Sequence, residues 1–225
     1  YLLEGFHLIE EAASSDAEIK ELFVTQRGMK EWGDWLAVNK EISTFLVSDE
    51  VMTAMSDLPT PQGILAVMTL TSEDTPDFSG GWLLLDNVQD PGNVGTMIRT
   101  ADAFGMAGVL LGKGTADIYS TKVLRSMQGS NYHLPVLQKD LADVIPVMKG
   151  KGFTVYGTEL NEEAHALDKV EKTEDFAIIM GNEGQGVSQE ILSLTDQNVY
   201  IPMKGNAESL NVGVAAGIVL YHFSL

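Results

Sequence analysis

Short apolar runs alternate along this chain with stretches whose apolar positions recur at helical spacing, and that alternation predicts an α/β protein. The first part reads as a helix near Phe6 to Ala13, a strand near Leu22 to Thr25, a helix near Met29 to Val38 and a strand from Thr44 to Val47. A further helix follows Ser48, a suitable N-cap because Asp49 and Glu50 then fall in the first turn, where the helix dipole favours acids. Gly63 to Thr69 reads as a buried strand that closes this small α/β unit. Beyond it, apolar runs at Trp82 to Leu85, Val109 to Leu111, Leu134 to Leu137, Phe153 to Tyr156, Phe176 to Met180 and Val199 to Met203 are strand candidates. Helical patterns separate most of them, so the expectation is a parallel sheet covered by helices. Thr71 to Gly81 combines acids, Pro, Ser and Gly with one aromatic and reads as a linker. The organisation expected is therefore residues 1–70, a linker over 71–81, and a larger unit over 82–225.

Three strand-end loops in the larger unit hold the candidate chemistry. The first, Asp86-Asn-Val-Gln-Asp-Pro-Gly-Asn93, is turn chemistry in which Asn93 is a candidate cap for a helix with apolar positions at Val94, Met97, Ile98, Ala101 and Phe104. Arg99 lies about 100° round from Ile98, at or beyond the edge of the buried stripe; taken alone it reads as a solvated arginine. The second loop, Gly181-Asn-Glu-Gly-Gln-Gly186, brings three glycines to a strand-to-helix turn, where bare backbone N–H groups can face a ligand and positive φ is allowed. Glu183 either takes part in chemistry or ties the loop by accepting backbone hydrogen bonds. The third loop runs from Ile201-Pro-Met203 into a final helix with Ser209 or Asn206 available as caps. Gly213, Ala216 and Gly217 on that helix permit close approach of a neighbour, from this chain or a second one. Ser209 and Asn211 can bind a substrate hydroxyl, although capping alone accounts for Ser209.

Composition narrows the classes. No apolar run is long enough to span a bilayer, and the opening Tyr-Leu-Leu-Glu-Gly lacks the parts of an export signal, so a cytoplasmic protein is expected without membrane association. The absence of cysteine removes disulfides and thiolate chemistry and fits a reducing compartment. His7, His133, His165 and His222 are scattered without metal-ligand spacing, so no metal is expected. The glycine order G-x-x-G-x-G is not a dinucleotide fingerprint, and Gly108 to Lys113 is one residue short of a phosphate-binding loop, which discounts NAD and ATP. A net charge of −18 argues against long-range attraction to a polyanion, although a local cluster could still contact phosphate. Lys113, Lys122, Arg125 and Lys204 are the candidates for that cluster.

In order and spacing, Asn93-x-Gly-x-x-x-Arg99, Met180-Gly-x-Glu183-Gly-x-Gly186 and Ile201-Pro-Met203 with Ser209-Leu-Asn211-Val resemble the three motifs of SpoU-type (TrmH-like) RNA 2′-O-ribose methyltransferases of the SPOUT superfamily. Leu3-Glu-Gly5-Phe-His-Leu-Ile9 and Pro61-Gln-Gly-Ile-Leu-Ala-Val67 resemble the two ends of the L30e-like RNA-binding domain that such enzymes carry, and the short lead-in implies family residues upstream of Tyr1. The resemblance implies an α/β SPOUT domain with a trefoil knot and a parallel sheet, a homodimer, and S-adenosyl-L-methionine as cofactor. It puts Asn93, Arg99, Glu183, Ser209 and Asn211 at the functional positions, and cofactor contacts at Gly181, Ile201 and Leu210, with Met203 and Thr158 beside them. The family's Ser-Leu-Asn-Val-Ser run has Gly213 here in place of the last serine. RNA is the implied partner, with ribosomal RNA expected ahead of transfer RNA; the contrasting expectations are transfer RNA as the substrate and a non-catalytic RNA-binding or ribosome-assembly protein that keeps the fold.

Overall fold

The structure is a computed structural model that describes residues 1–70 and 76–225. The chain divides into two compact units, Tyr1–Ser72 and Glu73–Leu225.

The first unit contains β1 (Leu2–Glu4), α1 (Phe6–Ala13), β2 (Ile19–Val24), α2 (Gln26–Glu31), α3 (Gly33–Val38), β3 (Ser43–Leu46), α4 (Asp49–Met55) and β4 (Ile64–Met68). Its sheet runs β1-β4-β2-β3, with β4 antiparallel to β1 and β2, and β2 parallel to β3. Ser48 caps α4, accepting from Val51 N at 3.3 Å, as its sequence suggests. The single helix expected over Met29 to Val38 is instead two. Trp32 leaves helical geometry (φ −119°, ψ 23°) and lies flat on Phe6 with ring centroids 5.0 Å apart, while Trp35 meets the same ring edge-on.

The second unit contains β5 (Gly81–Leu85), α5 (Pro91–Ala103), β6 (Gly108–Leu111), α6 (Thr121–Met127), β7 (Val136–Gln138), α7 (Leu141–Gly150) and β8 (Thr154–Thr158). It continues with β9 (His165–Ala166), β10 (Phe176–Met180), α8 (Gln189–Leu192), β11 (Gln197–Tyr200) and α9 (Val212–Ser224). The sheet order is β7-β6-β5-β10-β8-β11-β9, and every neighbouring pair is parallel. The central strands β5 and β10 are buried along their whole length, as their unbroken apolar runs require of a sheet covered on both faces. β7 starts later than the run Leu134 to Leu137 suggests, after Pro135, which has no N–H to give a ladder. The strand expected over Val199 to Met203 is displaced: β11 ends at Tyr200, and Ile201 to Met203 leave the sheet.

Residues 71–75 of the expected linker lie outside the described residues. Its later part belongs to the packed unit: Phe78 is 6% exposed and sits edge-on to both Trp82 and Phe153, and Gly81 already begins β5. The neighbour of the small residues on α9 is α5 of the same chain. A Cβ on Gly213 would lie 3.5 Å from Thr96 Cγ2, and one on Gly217 would lie 3.9 Å from Thr100 Cγ2; Phe104 packs on Tyr221 further along. With all its strands parallel, the sheet delivers the loops after β5, β8, β10 and β11 to one edge, where α/β folds place ligands.

Candidate active site

The helix after the first loop is capped by Asp90 rather than Asn93. Asp90 accepts from Asn93 N at 2.9 Å, and Pro91 occupies the first helical position, where its missing N–H costs nothing and its φ is already helical. Asn93 therefore sits inside the first turn with its side-chain amide free to reach the other loops. Its Nδ2 donates to Glu183 Oε1 at 3.1 Å, and its Oδ1 accepts from Asn211 Nδ2 at 3.0 Å. Asn211 in turn caps α9, with Oδ1 accepting from Gly213 N and Val214 N at 2.9 and 3.2 Å; Ser209 and Asn206, the caps expected, are exposed and play no such part.

Glu183 ties the loops together. Besides Asn93, it accepts from the backbone N–H groups of Gln89 and Asp90 at 3.2 and 3.0 Å. Partial burial pushes its carboxyl upward, but the donors, led by Asn93 and Asp90, outweigh burial and hold it below the ordinary glutamate value. Asp90 is likewise lowered, first by the Asn93 N–H and further by Lys122 at 3.3 Å, which commits one expected phosphate cation to an ion pair.

Within the second loop only Gly186 has positive φ, at +70°. Gly181 is glycine for space: an added Cβ would lie 2.1 Å from the backbone of Gly186 and Val187. Asn182, which sequence reasoning missed, organises the turn. Its Oδ1 accepts from Gly184 N and Gln185 N, its Nδ2 donates to Asn87 O, and its backbone exchanges two hydrogen bonds with Gly186. The run of Asn among glycines was the available signal.

The segments after β8, β10 and β11 wall a cavity of about 370 Å³, within the usual range for small-molecule sites. Gly181, Ile201, Met203, Leu210 and Thr158 line it, as do Glu183 and Ser209, whereas Asn93, Asn211 and Arg99 do not. The Thr158 hydroxyl is already given to Ile179 O at 2.7 Å. Among the described residues, the backbone N–H groups of residues 203–210 form no hydrogen bond, so this wall offers free donors beside the apolar Met180, Val199 and Val219. Apolar walls, free backbone donors and carboxylates suit a nucleoside that carries positive charge. Arg99 is exposed and makes no hydrogen bond or ion pair among the described residues. Glu183 and Asn211 both hold the Asn93 side chain.

Comparison with known proteins agrees with this geometry. Residues 82–221 match the SpoU rRNA Methylase family, and residues 1–66 match the MRM3-like substrate binding domain. The 23S rRNA (guanosine(2553)-2′-O)-methyltransferase RlmP of Bacillus subtilis is 43% identical over 99% of this chain and 87% of its own length. The SpoU methyltransferase AviRb of Streptomyces viridochromogenes, solved with AdoMet, superposes with a TM-score of 0.89 at 26% identity over 100% of this chain and 89% of its own. An AdoMet-bound rRNA methyltransferase of Sinorhizobium meliloti gives 0.85 at 28% identity, covering 99% and 85%. The chain thus belongs to the SpoU rRNA methylase family, RNA methyltransferases that use S-adenosyl-L-methionine.

Proposed function

We propose that this protein methylates a ribose 2′-hydroxyl of ribosomal RNA, holding S-adenosyl-L-methionine in the cavity between its second and third loops. The observation that carries this reading is the hydrogen-bonded line Glu183–Asn93–Asn211, which ties the first loop to the second and third loops, the two that wall the cavity. The likeness to a 23S rRNA 2′-O-methyltransferase favours ribosomal over transfer RNA.

When bound, the cofactor supplies an electrophilic methyl on a sulfonium, so the 2′-oxygen needs only to be aligned and to lose its proton. Gly181, Ile201, Met203, Leu210 and Thr158 form the walls, with backbone rather than side-chain identity doing the binding. Ser209, exposed on the lining, contacts the ribose. The Arg99 guanidinium offers donors and no acceptor, so its role is to hold the neighbouring phosphate and stabilise charge developing on the attacking 2′-oxygen.

Arg99 reaches that oxygen across a homodimer. Val214, Ile218 and Tyr221 recur at helical spacing on α9 and are all at least 40% exposed, an apolar stripe that a second copy would cover. A trefoil knot in the second unit, a metal-free reaction and a cytoplasmic location complete the reading. Among the described residues there is no group of three or more His, Asp or Glu side chains placed to hold a metal, and no helix long and apolar enough to cross a membrane.

The test is methyl incorporation from labelled S-adenosyl-L-methionine into ribosomal RNA, followed by nucleoside analysis. A 2′-O-methylated nucleoside is expected; a methyl found on a base would overturn the assignment.

A further inference from the structure

Among the described residues, three carboxylates line the cavity, those of Glu159, Glu183 and Glu208, and no lysine, arginine or histidine does. Glu183 is committed to its donors in the first loop. Glu159 is not. It follows the last residue of β8, and its backbone N–H is tied to Val199 O at 3.1 Å, which fixes where its side chain starts. That side chain is half-buried, its Oε2 lies 3.7 Å from where a Cβ on Gly186 would be, and it forms no hydrogen bond or ion pair among the described residues. A carboxylate partly withdrawn from water without a partner is unfavourable unless a ligand supplies the complement.

We propose that Glu159 sets the pocket's preference for the cationic cofactor over its neutral product; this rests on the reading that the cavity holds S-adenosyl-L-methionine. Cofactor and product share the adenosine and the amino-acid end. They differ by one methyl and one positive charge, because the sulfonium becomes a thioether when the methyl leaves. Walls that bind only the shared parts hold both equally. A fixed negative charge without a counter-cation in the lining holds the sulfonium form more tightly, and its grip relaxes once the methyl has gone. For unit charges several ångströms apart at an effective dielectric between protein surface and water, this preference is about tenfold. Glu208, exposed on the same lining, is screened by water and contributes less.

Calorimetry on the full chain tests this with three ligands: S-adenosyl-L-methionine, S-adenosylhomocysteine, and an analogue bearing an ammonium in place of the sulfonium. The wild-type protein is expected to bind both cations more tightly than the thioether. Glu159→Gln, checked for an unchanged melting temperature, is expected to weaken both cations about tenfold and the thioether less than about twofold; Glu208→Gln has a smaller effect. Equal weakening of all three ligands by Glu159→Gln would show that Glu159 grips a shared part and would overturn the inference, as would no change at all. If none of the three binds the wild-type protein, the cofactor reading of the cavity falls first, and the inference with it.

Discussion

Asn93 Oδ1 accepts a hydrogen bond from Asn211 Nδ2 at 3.0 Å across 118 residues of sequence. Through the other half of its amide Asn93 holds Glu183, so one side chain joins the loops after β5, β10 and β11. Replacing Asn93 by Ala should lower methyl transfer about a hundredfold, since misplacing the site walls by about an ångström costs that much. Cofactor affinity should change far less, because Asn93 does not line the cavity. Single-turnover rates and calorimetry on one preparation separate the two effects.

Asn211→Ala tests a different part of the same line. It removes the cap of α9, two backbone N–H groups at once, and should reduce stability by about 1 kcal/mol in denaturant unfolding. Asn206→Ala, at the alternative cap position, should leave stability unchanged.

Much of this architecture is legible in the sequence, and the failures have physical causes. The strands β5 and β10 announce themselves as unbroken apolar runs, and α1 by its spacing. β1 and β9 span too few residues to show a pattern, and exist because β4 and β11 offer them partners. The caps failed where several capping residues stand close together. Pro91 was the decisive signal, since a proline at the first helical position makes Asp90 the cap and frees Asn93. Glu159 was invisible because its place in the site depends on β8 lying between β10 and β11, a strand order that spacing does not encode.

Glu183 gives the site a pH signature. Its carboxyl lies below the ordinary value of 4.5, so the folded state binds its proton less readily than the unfolded chain. The stability it contributes is therefore present above that value and lost as pH falls through the lower, folded one. The melting temperature of Glu183→Gln should fall furthest short of wild type near neutrality, and the gap should close as acidity increases below 4.5. A gap that widened on acidification would contradict the hydrogen-bonding role.

Gly95, the glycine of the Asn-x-Gly pattern, is needed for helix packing. An added Cβ would lie 2.4 Å from Ser126 Cβ, 2.7 Å from Val123 O and 2.9 Å from Met127 N on α6. Two of those atoms are backbone and cannot swing aside. Gly95→Ala should cost about 2 kcal/mol of stability, overriding the better helix propensity of alanine. Thermal or denaturant unfolding measures it directly.

The exposed stripe on α9 and the unpartnered Arg99 combine in one experiment. Ile218→Glu places a charge in the middle of the stripe and should yield monomers in sedimentation equilibrium, with methyl transfer lost alongside. Arg99→Ala should abolish transfer while leaving both the dimer and cofactor binding intact. If Arg99 serves the partner's site, mixing Arg99→Ala with Asn93→Ala subunits under exchange should restore activity. Half of a random mixture is mixed dimers, and each carries one site with both residues, so about a quarter of wild-type activity is expected. A mixture as inactive as its components would place Arg99 in its own subunit's site, and the α9 stripe would then be needed for assembly alone.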